Sequence, residues 1–273
     1  MSNIQQQIID EFRARKGEVG RFESSRLLLL TTTGARSGAP HTVPLGYLPD
    51  VEERVLVIAS AMGADHHPAW YHNLVANPRV TVETGLFTHQ ADAVVLTGAE
   101  RDAAFARAVE SDPGWAEYQA GTSRLIPVVA LHAIHDGPPG AGSFGDTLRA
   151  IHAVYRRELA VIRKELTDAG PSLVAQLRIN CLAFCQGLHT HHTMEDRGLF
   201  PAVAAQHPEK AAVVERLSRE HERVAALLEA LTEAVTDREA GAETVRAEVE
   251  RLADELEAHL DYEEEQLIPL FDA

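Results

Sequence analysis

The chain has 273 residues, a net charge of −16 and only two cysteines. That length suits two domains of ordinary size, the acidity argues against nucleic-acid binding, and Cys181 and Cys185 form no disulfide framework and fit a reducing compartment. No stretch approaches the roughly 18 apolar residues of a membrane span and the N-terminus lacks a signal-peptide pattern, so the expectation is a cytoplasmic protein with no integral membrane segment.

Ile4, Ile8, Ile9 and Phe12 recur at helical spacing and predict a short amphipathic helix docked on its own domain. Residues 27–33, 55–60, 80–84, 91–96 and 126–131 are short runs rich in Val, Leu, Ile and Thr, bounded by Gly, Pro, Asp and Asn, and read as strands. Residues 68–76 and 99–110 read as helices. Because these helices do not alternate regularly with the strands, a small closed or split barrel suits the first half better than a parallel α/β sheet. A stretch dense in Gly and Pro follows at 135–145 and sets the expected domains at 1–136 and 144–273. Before and after Gly140 the chain carries 11 and 14 basic against 16 and 25 acidic residues, so the halves bear −5 and −11.

The second half reads as four helices. Leu148, His152, Tyr155, Leu159 and Ile162 form one apolar stripe; Leu177, Cys181, Phe184, Leu188, His191 and Glu195 a second. Leu217, His221, Val224, Leu228 and Leu231 form a third; Val249, Leu252, Leu256, His259 and Glu263 a fourth. Each stripe points a histidine inward, and two place a carboxylate one turn away. Such groups would be buried without partners unless a cation sat among them, and imidazole with carboxylate suits iron or manganese. His189 and His192 flank the ligand stripe, Cys181 and Cys185 read as packing, and Glu264 and Glu265 read as a solvated face.

In the first half, Leu27–Thr33 runs into Gly34-Ala35-Arg36-Ser37-Gly38 and then Pro44-Leu45. Ala59-Ser60, Gly63-Ala64, the run from Pro68 through Trp70-Tyr71-His72-Asn73 to Pro78, Tyr118-Gln119 and Arg124-Leu125-Ile126-Pro127 follow in order. Over roughly 5–133 this resembles the deazaflavin (F420)-dependent nitroreductase family. The resemblance implies a split β-barrel of the FMN-binding-like kind and F420 as cofactor, with FMN the alternative. It implies cofactor contacts at Thr33, Gly34, Arg36, Ser37, Gly38, His41, Pro44, Ser60, Ala61, Trp70 and Asn73, and places Ser60 and Tyr118 near the reacting ring. Tyr118 is then a proton donor or a packing residue, and Trp70 a cofactor wall or a core aromatic. A turn of backbone N–H groups with a guanidinium is suited to phosphate, although Ala35, His41 and Ala61-Met62 stand where many members carry further basic residues or a Lys/Asn-Gly pair.

With Leu199-Phe200-Pro201 and Leu267-Ile268-Pro269-Leu270-Phe271, the helical half resembles the hemerythrin-like HHE cation-binding family over roughly 144–271. This implies a four-helix bundle holding two iron ions, with His152, His191, His221 and His259 as nitrogen ligands and Glu195 and Glu263 as bridging carboxylates. Leu217 and Ala225 stand where the family's extra third-helix histidine is found, so His192 or solvent completes one iron. The fold expected is α+β, a split barrel followed by an all-α bundle.

The function expected is an F420H2-dependent oxidoreductase whose bundle binds or reduces O2, peroxide or NO. One alternative is an independent reductase beside an O2, NO or iron sensor or store, and another a flavin or haem-type binder without turnover. The short linker makes electron exchange between the halves an expectation as well. The partners expected are a small-molecule substrate and one of those gases or peroxide, with a homodimer left open.

Overall fold

The computed structural model describes residues 3–17, 19–22, 26–50, 54–84, 87–134, 143–169, 173–237 and 239–271. Most of the Gly/Pro-rich linker expected at 135–145 lies outside the described residues, as does the boundary drawn within it. The chain divides into two units, Met1–Gly140 with Val174–Gln176, and Ala141–Leu173 with Leu177–Ala273.

The first unit is a closed barrel. Its six strands are β1 (Leu27–Thr33), β2 (Pro40–Pro49), β3 (Arg54–Ile58), β4 (Arg79–Glu83), β5 (Thr88–Val95) and β6 (Val128–Ile134), joined in the order β1-β2-β3-β6-β5-β4. Every pairing is antiparallel, and closure leaves the sheet without a free edge. Strand alternation sends Leu28, Leu30, Val57, Val80, Val82, Ala91 and Val129 inward. Three helices of this unit are α1 (Asn3–Ala14), α2 (Ala69–Ala76) and α3 (Gly98–Ser111). Helix α1 docks Ile9 and Phe12 on Leu29, as its periodicity predicts, while Ile4 remains exposed. Helix α2 puts Trp70 and Leu74 into the barrel interior, and α3 packs Ala104, Phe105 and Ala108 on the outward faces of β3 and β6.

Two elements of this unit were not read from the sequence, β2 and the short α4 (Gly114–Ala120). Strand β2 contains Pro40, Pro44 and Pro49, which argue against a central strand. Its residues 40–46 pair with β1 and 47–49 with β3, so Pro40 and Pro44 stand where the strand is bonded on one side only.

The second unit is helical: α5 (Phe144–Asp168), α6 (Ala175–Met194), α7 (Phe200–Gln206), α8 (Ala211–Thr236) and α9 (Ala242–Phe271). Ser143 caps α5 by accepting a hydrogen bond from the Asp146 N–H. Helices α6 and α7 are one rod joined by a π-helical turn at Glu195–Leu199, in which the Phe200 N–H donates to Glu195 O. Pro201 explains the wide turn, because it has no N–H for Arg197 O and its ring crowds that carbonyl. All four predicted stripes are buried apart from Tyr155, which is partly covered. Among the described residues, no helix is long and apolar enough to cross a membrane.

Candidate cofactor and metal sites

In the barrel, β1 runs into a tight turn closed by Gly34 N–H to Ala39 O and Gly38 N–H to Gly34 O. A Cβ on Gly34 would lie 2.4 Å from Ser37 Oγ, and Gly38, at φ +67°, has open space where its Cβ would point. Thr33, Arg36, Ser37 and His41 are exposed around this turn, and Pro44 is half-buried. Asn73 is buried beneath it, accepting from the Ala35 N–H at 3.0 Å and donating to Thr32 Oγ1 at 3.1 Å. Asn73 therefore braces the turn from below. Trp70 is 6% exposed and packs in the barrel core.

A second group forms around Ser60. Ala61, Met62 and Gly63 have φ of 47°, 53° and 79°, a left-handed run that L side chains rarely adopt. The run is held from outside by Arg124, whose guanidinium donates to Ser60 O at 2.6 Å, Ala59 O at 3.2 Å and Ala64 O at 2.8 Å. A Cβ at Gly63 would lie 3.0 Å from Tyr118 O, so this loop and α4 are in close contact and bring Ser60 and Tyr118 into one neighbourhood. Tyr118 and Met62 are both exposed there. An open pocket of about 590 Å³ lies elsewhere, on the outer face of β1, β4 and β5 beside Thr31, Arg79, Thr81, Gln90 and Asp92; of the candidate cofactor residues it takes in Thr33 alone.

The bundle's candidates converge more tightly. Two clusters form, His192 with His221 and His259, and His152 with His191 and Glu195; in each the ligand atoms lie within 4.8 Å of one another. His192 thus joins the set in the place of the absent third-helix histidine, whereas His189 is exposed and outside it. The two glutamates stand between the clusters. Glu195 Oε1 is 3.2 Å from His191 Nε2 and its Oε2 3.6 Å from His221 Nε2; Glu263 Oε2 is 3.4 Å from His152 Nε2 and 3.7 Å from His259 Nε2.

These contacts have ion-pair distances without hydrogen-bond geometry. Among the described residues, Nε2 of His152, His191 and His192 and both carboxylate oxygens of Glu195 and Glu263 are buried with no hydrogen-bond partner. Native interiors leave only a few such atoms scattered through a hundred residues, whereas these seven gather in one place. Burial, and then the neighbouring His152, pushes His191 down to about 3; burial and then His221 hold His192 far below its ordinary range. Burial also lowers His259. These imidazoles are therefore neutral, the form that ligates metal. Burial and then Glu263 push Glu195 well above the usual carboxylate range. Burial pushes Glu263 up too, but the close approach of His152 and then the other imidazoles outweighs it and holds it low.

Three carboxylates that sequence reasoning did not select lie just outside. His152 Nδ1 is 2.9 Å from Glu264 Oε1, His221 Nδ1 2.9 Å from Asp196 Oδ1, and His259 Nδ1 3.1 Å from Glu220 Oε2. Glu264 is consequently no solvated face, while Glu265 is exposed as expected. Nε2 of His221 and His259 face each other at 3.1 Å. If both rings donate Nδ1–H to their carboxylates, two lone pairs meet there, and a cation between them resolves the conflict. The residues present fit a metal pair. Cys181 and Cys185 are buried, and burial pushes the Cys185 thiol up to about 11, which agrees with packing.

Comparison with known proteins divides the chain in the same way. The description F420H(2)-dependent quinone reductase matches residues 4–133, and hemerythrin HHE cation binding domain matches residues 143–271. An F420H(2)-dependent quinone reductase of Mycobacterium tuberculosis is 37% identical over 125 residues, covering 44% of this chain and 83% of that protein. A solved chain titled as an F420-H2 dependent reductase is 41% identical, with a TM-score of 0.36, and covers 39% of this chain and 94% of its own. Another, titled as a domain-swapped dimer, has the same identity and TM-score and is covered over 80% of its length.

Proposed function

Because the chain belongs, through its N-terminal half, to the F420H(2)-dependent quinone reductase family and carries a hemerythrin HHE cation binding domain behind it, we propose that it couples F420H2 oxidation in the barrel to a di-iron centre in the bundle. When bound, F420H2 supplies a hydride, and two iron ions supply a two-electron centre for O2, peroxide or NO. In the barrel, Arg36, Ser37 and the Gly34–Gly38 backbone hold the cofactor's phosphate and acidic tail, with Thr33, His41, Pro44 and Ala61 beside it and Asn73 bracing the turn. Ser60 and Tyr118 face the acceptor, a quinone-like small molecule by likeness to the relatives, and Tyr118 Oη gives it a proton. In the bundle, His152 and His191 would hold one iron and His192, His221 and His259 the other, with Glu195 and Glu263 within reach of both.

The observation that carries the bundle reading is the convergence of buried, unpartnered nitrogen and oxygen atoms from four helices. Metal analysis of the full chain tests it: about two irons per chain are expected, and stoichiometric zinc or no metal after expression in iron-replete medium refutes it. The division into two units, each with its own interior, favours a second reading in which the bundle is an independent sensor or store. Glu263→Ala and His221→Ala separate the two. Under coupling both variants bind F420 yet lose aerobic F420H2 oxidation; full aerobic activity without iron establishes independence.

A further inference from the structure

We propose that Asp196, Glu220 and Glu264 are positioning residues of the bundle's metal centre, each locking a histidine of another helix into its Nδ1–H tautomer with Nε2 turned inward. The inference rests on the metal reading above but concerns residues that never touch the ions. An unprotonated Nδ1 and a carboxylate oxygen both offer lone pairs and would repel at about 3 Å, so contacts of 2.9, 2.9 and 3.1 Å require the ring to donate from Nδ1. With Nδ1 as the donor, the lone pair that a metal would take is on Nε2, the atom that faces the cluster.

The arrangement repeats with a rule. Asp196 follows Glu195 and supports His221 on α8; Glu220 precedes His221 and supports His259 on α9; Glu264 follows Glu263 and supports His152 on α5. Three of the four helices thus present an inner ligand and, next to it in sequence, an outer carboxylate that reaches across to a different helix; α5 presents His152 alone. Two of the supports are themselves clamped. Arg156 donates to Glu264 Oε1 at 2.6 Å and to Asp261 at 2.7 Å, and Arg216 donates to Glu220 Oε1 at 2.8 Å while its guanidinium lies 3.5 Å over the Tyr262 ring. An arginine–glutamate–histidine chain therefore runs from the surface to each cluster, one through His152 and one through His259. A negative partner also makes the imidazole a stronger donor to a cation.

The test uses the full chain loaded with Fe(II) and then oxidised, comparing Glu264→Ala, Glu264→Gln, Glu220→Ala, Glu220→Gln and Asp196→Asn with wild type. Iron per chain against a competing chelator and the absorption spectrum of the iron-loaded protein are read, with far-UV circular dichroism checking the helices. The alanine variants should keep their helicity and bind iron at least about tenfold more weakly. The glutamine and asparagine variants retain an oxygen acceptor and should recover occupancy, but with shifted absorption bands because the charge is gone. Arg156→Ala and Arg216→Ala, which remove only a surface clamp, should shift the bands in the same direction. Alanine variants with wild-type affinity and an unchanged spectrum overturn the proposal while leaving the metal site intact. Wild-type chain that takes up no iron overturns the metal reading and this inference with it.

Discussion

Replacing Glu195 by leucine should change the sign of its effect with metal content. Both Glu195 oxygens are buried without hydrogen bonds, and Glu263 lies beside them. In the metal-free chain, leucine of similar volume removes two unsatisfied acceptors, each costing about 1–3 kcal/mol. Allowing for imperfect packing, net stabilisation of about 1–4 kcal/mol is expected. In the iron-loaded chain the same change removes a carboxylate that stands between both clusters, so iron and its stabilisation are lost together. Urea unfolding of the two forms distinguishes these outcomes, since at about 1–3 kcal/mol per molar the shift amounts to roughly a molar in the midpoint. Circular dichroism follows the long bundle helices, and fluorescence follows the barrel, which contains both tryptophans, Trp70 and Trp115. Because the folded-state value of Glu195 is raised, first by burial and then by Glu263, its contribution is fully present below the ordinary 4.5 and is lost as pH rises. The advantage of the metal-free leucine variant should therefore widen as pH climbs above 4.5. A leucine variant that unfolds earlier than wild type in both forms, or a fluorescence midpoint that moves with the dichroism, refutes the reasoning.

Arg36→Ala should weaken F420 binding by about tenfold or more, the effect of one charge-assisted hydrogen bond, and added salt should weaken the wild type. Affinity indifferent to both disproves the phosphate cradle, and equal affinity for FMN reassigns the cofactor. Asn73→Ala strips partners from the Ala35 N–H and Thr32 Oγ1 and should cost about 1–3 kcal/mol on the fluorescence-detected transition, with weaker F420 binding; an unchanged midpoint removes Asn73 from its bracing role. Native Cys185, at about 11 instead of 9.0, should react with iodoacetamide about a hundredfold more slowly than a free thiol near pH 8 and at the ordinary rate in urea. Rapid labelling of the folded chain would show that the cysteine is accessible and not a packing residue.

Periodicity carried most of the architecture. Leu27–Thr33 is read from sequence with the bounds it has in the fold, and the four histidine-bearing stripes are the buried faces of their helices. What escaped was non-local or locally contradicted. The prolines of β2 argue against a strand until one knows which side of it is paired. His192 could not be assigned by spacing, since a neighbour of His191 points about 100° away on a helix, and only the approach of α8 and α9 gives it partners. Asp196, Glu220 and Glu264 looked like ordinary acidic surface because their function depends on a ring from another helix. Their one sequence signal was adjacency to a ligand, visible in the pairs Glu195-Asp196, Glu220-His221 and Glu263-Glu264.

The π-helical turn at Glu195–Leu199 acts as a phase shifter in the longest rod of the bundle. Upstream, inward positions fall at 188, 191, 192 and 195; downstream they resume at 200 and 203, so that Glu195 and Phe200 are successive buried positions five residues apart across the wide turn. The extra residue is what brings Phe200 around to stack on His221 at 5.0 Å between ring centres. Deleting one residue between Asp196 and Leu199 would return the rod to a single frame and rotate everything beyond by about 100°, swinging the phenyl cover off an imidazole while the histidines upstream stayed where they were. Length changes in this turn, more than substitutions, are therefore the route by which such a bundle would uncover one side of its histidine cluster while every histidine of the cluster stayed in place.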